Sequence, residues 1–390
     1  MILNKKICFF IGSRANYSSI KSLMREVRDD KGLIFQLVLG SSSILERFGN
    51  VASLIEEDGF KIDFKFYNNL EGDNPVTMTK SSGLLMIELS SILEILKPDL
   101  FVVVGDRYEV MTATITAAYM NIKIAHTMGG EVTGTIDESI RHAITKFSHI
   151  HFPSNEDAKQ RIIKMGEIPE NVFNLGCPRI DLVREILQND SIDFLKINFR
   201  NIKGVSDSNI DFDRPFLLVS QHPVTTEFEN SRDQIKQTLL ALNELKSQTI
   251  LLWPNSDAGN GKMSKEIRTF RNKYSPNWLF LYKNLPIEVY VHLMNATSCL
   301  VGNSSSGIRE GAFIGTPVVN IGTRQNKRMH GSNVIHSQNN ANEIKSKIEF
   351  QLNAIKYESE PVYGDGFTAK KMIKIIKNLN DISVQKTIYY

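Results

Sequence analysis

Short apolar runs bounded by glycine, proline or asparagine recur along the chain, with amphipathic stretches between them. In the first half the runs lie at 7–11, 34–39, 61–66, 100–104, 123–126, 149–152 and 172–175. In the second half they lie at 216–219, 250–253, 278–282, 299–301 and 318–321. They are near-continuous rather than alternating, which is the pattern of parallel strands covered on both faces. Helical spacing holds over 18–27, 43–57, 80–96, 109–120, 136–147 and 156–165, then over 231–245, 262–271, 287–294 and 304–313. This rhythm predicts an α/β protein of two doubly wound, Rossmann-like domains.

The polar, turn-rich stretch 189–214 is the weakest for packing and marks the boundary. The expected division is an N-terminal domain over 1–190 and a C-terminal domain over 210–366. A last helix, 369–379 within a tail of 367–390, crosses back to the first domain. Ligands of such sheets bind beyond the carboxyl ends of the strands, where connections reverse. Two domains facing a central cleft would bring two rows of strand-end loops together.

Composition narrows the class. The 390 residues are 42% hydrophobic and 23% charged, with 24 Gly and 12 Pro, which excludes collagen-like and disordered chains. A net charge of +3 gives no reason to expect a nucleic acid or membrane partner. Cys8, Cys177 and Cys299 are far apart and odd in number, so they form neither a disulfide framework nor a metal spacing. The apolar stretch between Lys6 and Arg14 is too short for a signal peptide, and no run of about 18 apolar residues occurs. A cytoplasmic protein is expected.

Chemistry collects at the strand ends. Gly12-Ser13-Arg14 opens a helix, where Arg14 and backbone N–H groups can receive an anion. It is not a G-x-G-x-x-G fingerprint, so no nicotinamide or flavin cofactor is implied. Asp106 follows the run 100–104 and is either a helix N-cap or an acid–base carboxylate. The segment 128–142 is the densest polar cluster, with three glycines in six residues. Thr135 and Glu138 there match a capping box. Asp137 falls in the first helical turn, on the same face as Arg141, with which it can form an ion pair. Glu131 stands in the glycine loop, where a structural duty is lacking, and reads as functional.

In the second half, His222 sits at a strand end and is held extended by Pro223, as a ligand or acid–base group. Ser304, Ser305 and Ser306 open a helix as a diphosphate cradle, without the Gly-Lys-Ser/Thr of a P-loop. Glu310 lies a turn later, in reach of ribose hydroxyls, and Arg324 adds a cation. No histidine or cysteine grouping suggests a metal.

Six passages then carry a resemblance: GDRYE at 105–109, GGEVTGTIDESIRHAITK at 129–146, QHPVTT at 221–226, PNSDAG at 254–259, GNSSSGIRE at 302–310 and GTPVVNIGTRQ at 315–325. Together, in this order, they resemble the hydrolysing UDP-N-acetylglucosamine 2-epimerases, including the epimerase half of the bifunctional sialic-acid enzyme of animals. The resemblance implies a GT-B-like fold, a UDP-sugar substrate, UDP as product, no cofactor, and a homodimer or homotetramer. It implies anti elimination of UDP to a 2-acetamidoglucal, then hydration with inversion at C2. Asp106, Glu131 and Asp137 would be the acid–base carboxylates, with His222 at the leaving group. Arg14, Arg141, Asn255, Ser304, Ser305, Ser306 and Arg324 would bind substrate, and Glu310 its ribose.

The chain departs from relatives in two places. Met128 stands where non-hydrolysing relatives carry a Glu, and Asn16 where many relatives are acidic. The sugar is either N-acetylglucosamine, giving N-acetylmannosamine for sialic acid, or 2,4-diacetamido-2,4,6-trideoxyglucose for a legionaminic-type product. Gln221, Thr225 and Asn16 are candidate discriminators. A glycosyltransferase on the same fold is the competing class.

Overall fold

The computed structural model describes residues 4–46, 51–72, 74–132, 136–199, 202, 204, 210–254, 259–283, 285–354, 356–379 and 382–390. The chain forms two compact units. One comprises Met1–Val132, Ile136–Leu182 and Gly364–Tyr390, and the other Val183–Tyr363.

In unit 1 the order is β1 (Lys5–Ile11), α1 (Arg14–Asp29), β2 (Leu33–Leu39), α2 (Val51–Glu57), β3 (Phe64–Lys65), α3 (Pro75–Leu96) and β4 (Leu100–Val104). It continues with α4 (Tyr108–Tyr119), β5 (Ile124–Thr127), α5 (Ile136–Phe147), β6 (Ile150–Phe152), α6 (Glu156–Lys164) and α7 (Pro178–Ile186), within which the boundary falls. The strands form one parallel sheet in the order β3-β2-β1-β4-β5-β6. Side chains alternate across it: Ile7, Phe9 and Ile11 join a core with Ile20, Leu23 and Val27 of α1. Cys8 and Phe10 turn to the opposite core, with Leu85, Leu89 and Leu93 of α3 and Val110 and Ala113 of α4. Both faces are therefore dry, which is why the strands read as continuous apolar runs.

Unit 2 repeats the plan. It runs α8 (Ser191–Asn198), β7 (Leu217–Ser220), α9 (Ser231–Leu245), β8 (Thr249–Leu252), α10 (Asn260–Tyr274), β9 (Leu279–Tyr282) and α11 (Ile287–Ala296). Then follow β10 (Cys299–Gly302), α12 (Ser305–Ile308), α13 (Glu310–Ile314), β11 (Val318–Ile321), β12 (Val334–Ser337) and α14 (Ala341–Leu352). Its parallel sheet has the order β12-β11-β10-β7-β8-β9. In both sheets the first strand of the unit lies beside its fourth, so the connections diverge there and leave a crevice at those strand ends.

The last helix, α15 (Thr368–Asn378), packs Met372, Ile373 and Ile376 into the α1 face of unit 1. Asp181 accepts the backbone N–H groups of Thr368 and Ala369 at 2.8 and 2.7 Å and so caps its start. Lys5 Nζ donates to the carbonyls of Lys377 and Leu379 at 2.8 and 3.0 Å and caps its end. Among the described residues no helix is long and apolar enough to cross a membrane.

Several local expectations change. The run 61–66 yields only the two-residue β3, and 172–175 gives a single bridge from Val172 to His151. Over 43–57 the helix is broken: Ser41–Ile44 is a 3-10 turn and α2 begins at Val51. The segment read as weak for packing contains α8, anchored by Ser191 Oγ on His292 Nδ1 at 2.9 Å and by Phe194 stacked on that ring at 4.0 Å. The stretch 304–313 is two short helices that meet at Arg309, where ψ is −68°. β12 went unread because Val334–Ser337 buries only its two end residues, and α14, which buries Ile344 and Ile348 one turn apart, went unread with it.

Candidate functional site

At the crevice of unit 1, β1 ends at Ile11 and turns through Gly12, where a Cβ would stand 2.6 Å from the Glu109 side chain. Ser13 caps α1 by accepting from the Asn16 N–H at 3.3 Å. Asn16 accepts from Gly12 N at 3.3 Å and donates to the Val104 carbonyl at 3.1 Å, tying the ends of β1 and β4 together. A carboxylate in its place would have no hydrogen to give Val104, so the amide of Asn16 is a structural staple. Arg14, the first residue of α1, is exposed at that helix start.

Asp106 follows β4 and Gly105. It does not cap α4, whose N-cap is Arg107. Its carboxylate instead accepts from Arg141 Nη2, and the other end of the same guanidinium, Nη1, donates to the Glu131 carbonyl at 2.7 Å. Arg141 is 2% exposed. One buried cation therefore joins the loop after β4 to the loop after β5. Asp137, in the first turn of α5, stands near Arg107, whose pKa is raised by Glu109 first and by Asp137 more weakly.

Glu131 is buried in the loop after β5. Its glycine neighbours serve the protein's own packing: a Cβ at Gly129 would meet His126 Nδ1 at 2.8 Å, and one at Gly130, where φ is +76°, the Ala158 carbonyl at 2.3 Å. His126 places Nε2 2.8 Å from the Gly105 carbonyl and Nδ1 3.2 Å from Thr145 Oγ1. Burial holds its pKa down at about 3, so this imidazole is neutral. Thr135 and the proposed capping box, with Thr133 and Gly134, lie outside the described residues. Glu138 pairs with His142 at 3.9 Å.

At the crevice of unit 2, Gly302 has φ +135° and a Cβ there would stand 2.2 Å from the Ser220 carbonyl, so β7 and β10 end in direct contact. His222 follows β7. Asn303 accepts from the His222 N–H at 2.7 Å and donates to its carbonyl at 2.8 Å, a two-point clamp. Asn303 also offers its own carbonyl to Arg324 Nη1 at 3.3 Å and Gln325 Nε2 at 2.8 Å. Burial, and then the Arg324 charge, hold His222 down at about 3. Gln221 is buried and accepts from Thr238 Oγ1 at 2.7 Å, which engages it with α9. The Thr225 side chain and Asn255 lie outside the described residues.

Ser304 caps α12 through the Ser306 N–H, and the two hydroxyls lie 2.8 Å apart. Tyr290 on α11 adds its hydroxyl 2.5 Å from Ser306 Oγ. Burial raises the Tyr290 pKa, keeping the phenol a neutral donor. Ser305 accepts from Arg309 Nη2 at 3.4 Å, and Glu310 is 2% exposed with its carboxylate 3.9 Å from Arg309 Nε. Unit 2 thus brings Ser304, Ser305, Ser306, His222 and Arg324 to one crevice, and unit 1 brings Arg14, Asp106, Glu131 and Arg141 to the other. Sequence reasoning missed Asn303 and Tyr290. Only the position of Asn303, next to a strand-end glycine, was a signal.

A family model described as UDP-N-acetylglucosamine 2-epimerase matches residues 25–377. A Campylobacter jejuni protein named GDP/UDP-N,N'-diacetylbacillosamine 2-epimerase (hydrolyzing) is 34% identical over 88% of each chain. A Legionella pneumophila protein named UDP-N,N'-diacetylbacillosamine 2-epimerase (hydrolyzing) is 30% identical over 96% of each. The fold is shared with the crystal structure of the Neisseria meningitidis UDP-GlcNAc 2-epimerase bound to UDP-GlcNAc. That likeness has a TM-score of 0.78 at 19% identity, over 96% of this chain and 100% of that one.

Proposed function

Given that the chain belongs to the UDP-N-acetylglucosamine 2-epimerase family and is a hydrolysing UDP-sugar 2-epimerase, we propose that its substrate is UDP-2,4-diacetamido-2,4,6-trideoxyglucose. The sugar is the one for which the Campylobacter jejuni and Legionella pneumophila relatives, 34% and 30% identical, are named. The acid–base reading rests on one observation, the buried Arg141 that joins Asp106 to the Glu131 loop.

In the reading proposed, C1–O cleavage leads and gives C1 oxocarbenium character, since no carbonyl acidifies the C2 proton. A carboxylate among Asp106, Glu131 and Asp137 takes that proton. The C2–H electron pair becomes the C1=C2 bond, and the C1–O pair leaves with UDP. Water then adds its hydroxyl at C1 while a proton is delivered to the opposite face of C2. The products are UDP and the free 2-epimer. Charge on the departing diphosphate calls for donors and cations: Ser304, Ser305, Ser306 and Arg324 supply them, and Arg14 offers a further cation. Glu310 accepts from the ribose hydroxyls, and Asn255 contributes to substrate binding. Arg141 serves as a positioning residue, because its donors already hold Asp106 and Glu131. His222, neutral in the free protein, rises in pKa when a diphosphate sits beside it and so becomes able to carry a proton to the leaving group.

The test is turnover of both candidate UDP-sugars in deuterium oxide without an acceptor. The expected result is UDP release, faster with the diacetamido sugar, and deuterium at C2 of the free product. Protium at C2 overturns the elimination, and a requirement for an acceptor makes the protein a glycosyltransferase. Preference for UDP-N-acetylglucosamine overturns the sugar and leaves the mechanism standing.

A further inference from the structure

Helix α5 carries Asp137 and Arg141, yet its buried side chains are only Arg141, Ile144 and Thr145. Ile144, with the half-buried Ile140 beside it, is a modest apolar hold for a helix on which a site depends. At its end the Ser148 N–H serves the carbonyls of Ile144 and Thr145 at 3.1 Å each, and the carbonyls after them are past the reach of the helix's own N–H groups.

The chain's last residues supply what α5 lacks. Lys386 Nζ donates to the carbonyl of Lys146 at 2.8 Å, to that of Thr145 at 3.5 Å and to that of Ser148. A cation here also complements the negative end of the helix dipole. The same ammonium lies 2.7 Å from Glu167, which is 3% exposed and also binds Lys146 at 2.6 Å and His151 at 3.0 Å. Two further contacts seat the tail. His149 accepts the Ile124 N–H at Nδ1, 3.0 Å away, so its hydrogen is on Nε2, which reaches the Val384 carbonyl at 3.0 Å. Tyr389 N donates to the Gly166 carbonyl at 3.0 Å.

From this anchored end a chain of close polar contacts runs to the site. Thr145 Oγ1 lies 3.1 Å from the Arg141 carbonyl and 3.2 Å from His126 Nδ1, with one hydrogen to give to either, and His126 Nε2 donates to the Gly105 carbonyl beside Asp106. We propose that Lys386, on the segment 383–390, is a positioning residue. It fixes the C-terminal end of α5, so that Arg141 keeps Asp106 and the Glu131 loop in reacting geometry. The proposal rests on the acid–base reading of those two carboxylates.

The experiment compares Lys386→Met, Lys386→Arg and Glu131→Gln in the full chain, measuring kcat, KM, UDP affinity and amide exchange over 136–147. A sub-ångström to ångström shift of a site costs up to about 100-fold in rate. The expectation for Lys386→Met is therefore a kcat loss of about 10- to 100-fold, with KM and UDP affinity within about twofold. Amide exchange should quicken in α5 and stay unchanged in unit 2. Lys386→Arg, which still offers N–H donors to the carbonyls, should recover most of kcat. Unchanged exchange in α5 overturns the clasp outright. Faster exchange with unchanged kcat overturns the positioning role. A parallel loss of kcat and UDP affinity also overturns it, because that is general damage. Should Lys386→Met not fold, Tyr389→Pro deletes only the tail's bond to the Gly166 carbonyl and leaves the cations on Glu167 in place, and the same exchange and kcat readouts decide. Full activity in Glu131→Gln marks failure of the site reading instead, whatever Lys386 does.

Discussion

Arg141 carries its charge into the interior, where the Asp106 carboxylate and the Glu131 carbonyl satisfy the two ends of its guanidinium. A planar fork suits this double duty and an ammonium does not. Arg141→Met and Arg141→Lys should both lower kcat, by about 100-fold for the former, with UDP affinity preserved. Isothermal titration with UDP beside steady-state rates checks this, and a loss confined to KM contradicts it. The sequence marked Arg141 through its spacing from Asp137, which correctly puts both on one helix face. It could not say that the guanidinium reaches back to Asp106 in the loop after β4, 35 residues upstream. Asn303 stayed unread for the same reason, since its clamp on His222 spans 81 residues. Glu131 was singled out by elimination, as a carboxylate in a loop without a capping partner, and the structure buries it in the loop that Arg141 holds.

Among the elements, α15 shows how a terminal helix is fixed without sequence neighbours. Asp181 accepts two orphan N–H groups at its start, a stronger cap than one bond provides. Asp181→Ala should destabilise unit 1 by about 1–2 kcal/mol, read from urea unfolding, and loosen α15 in amide exchange before the rest. An unchanged midpoint would show that Met372, Ile373 and Ile376 suffice. Boundaries of elements were the least legible feature. The break at Arg309 and the shortness of β3 depend on how loops pack, whereas long periodic segments such as α3 and α9 declare themselves locally.

Across the whole molecule the histidines dominate the acid response. Those at 126, 142, 149, 151, 222, 292 and 336 are all held below the ordinary 6.5, with burial the first cause in each. The unfolded chain takes up protons near 6.5 that the folded chain refuses, so this stability is whole above that pH and declines as pH falls. For the buried rings at 126, 149, 151 and 292, each refused proton costs up to about 1.4 kcal/mol per pH unit below 6.5. Glu167, held at about 2, adds a second loss below its ordinary 4.5. The melting temperature should therefore drop between pH 7.5 and pH 5.5, and an unchanged value would contradict the neutral state of the buried rings of His126, His149, His151 and His292.

The chain by itself determined the alternation of strands and helices, the two doubly wound units and the strand-end address of Asp106, Glu131, His222 and the serines at 304–306. All of these follow from apolar periodicity and turn residues, which act over a few neighbours. Tertiary structure alone decided which groups meet. Sheet order sets β1 beside β4 and β7 beside β10, and the return of the last residues places Lys386 on a helix 240 residues away. Such encounters are fixed by how surfaces pack, and spacing along a chain holds no measure of that.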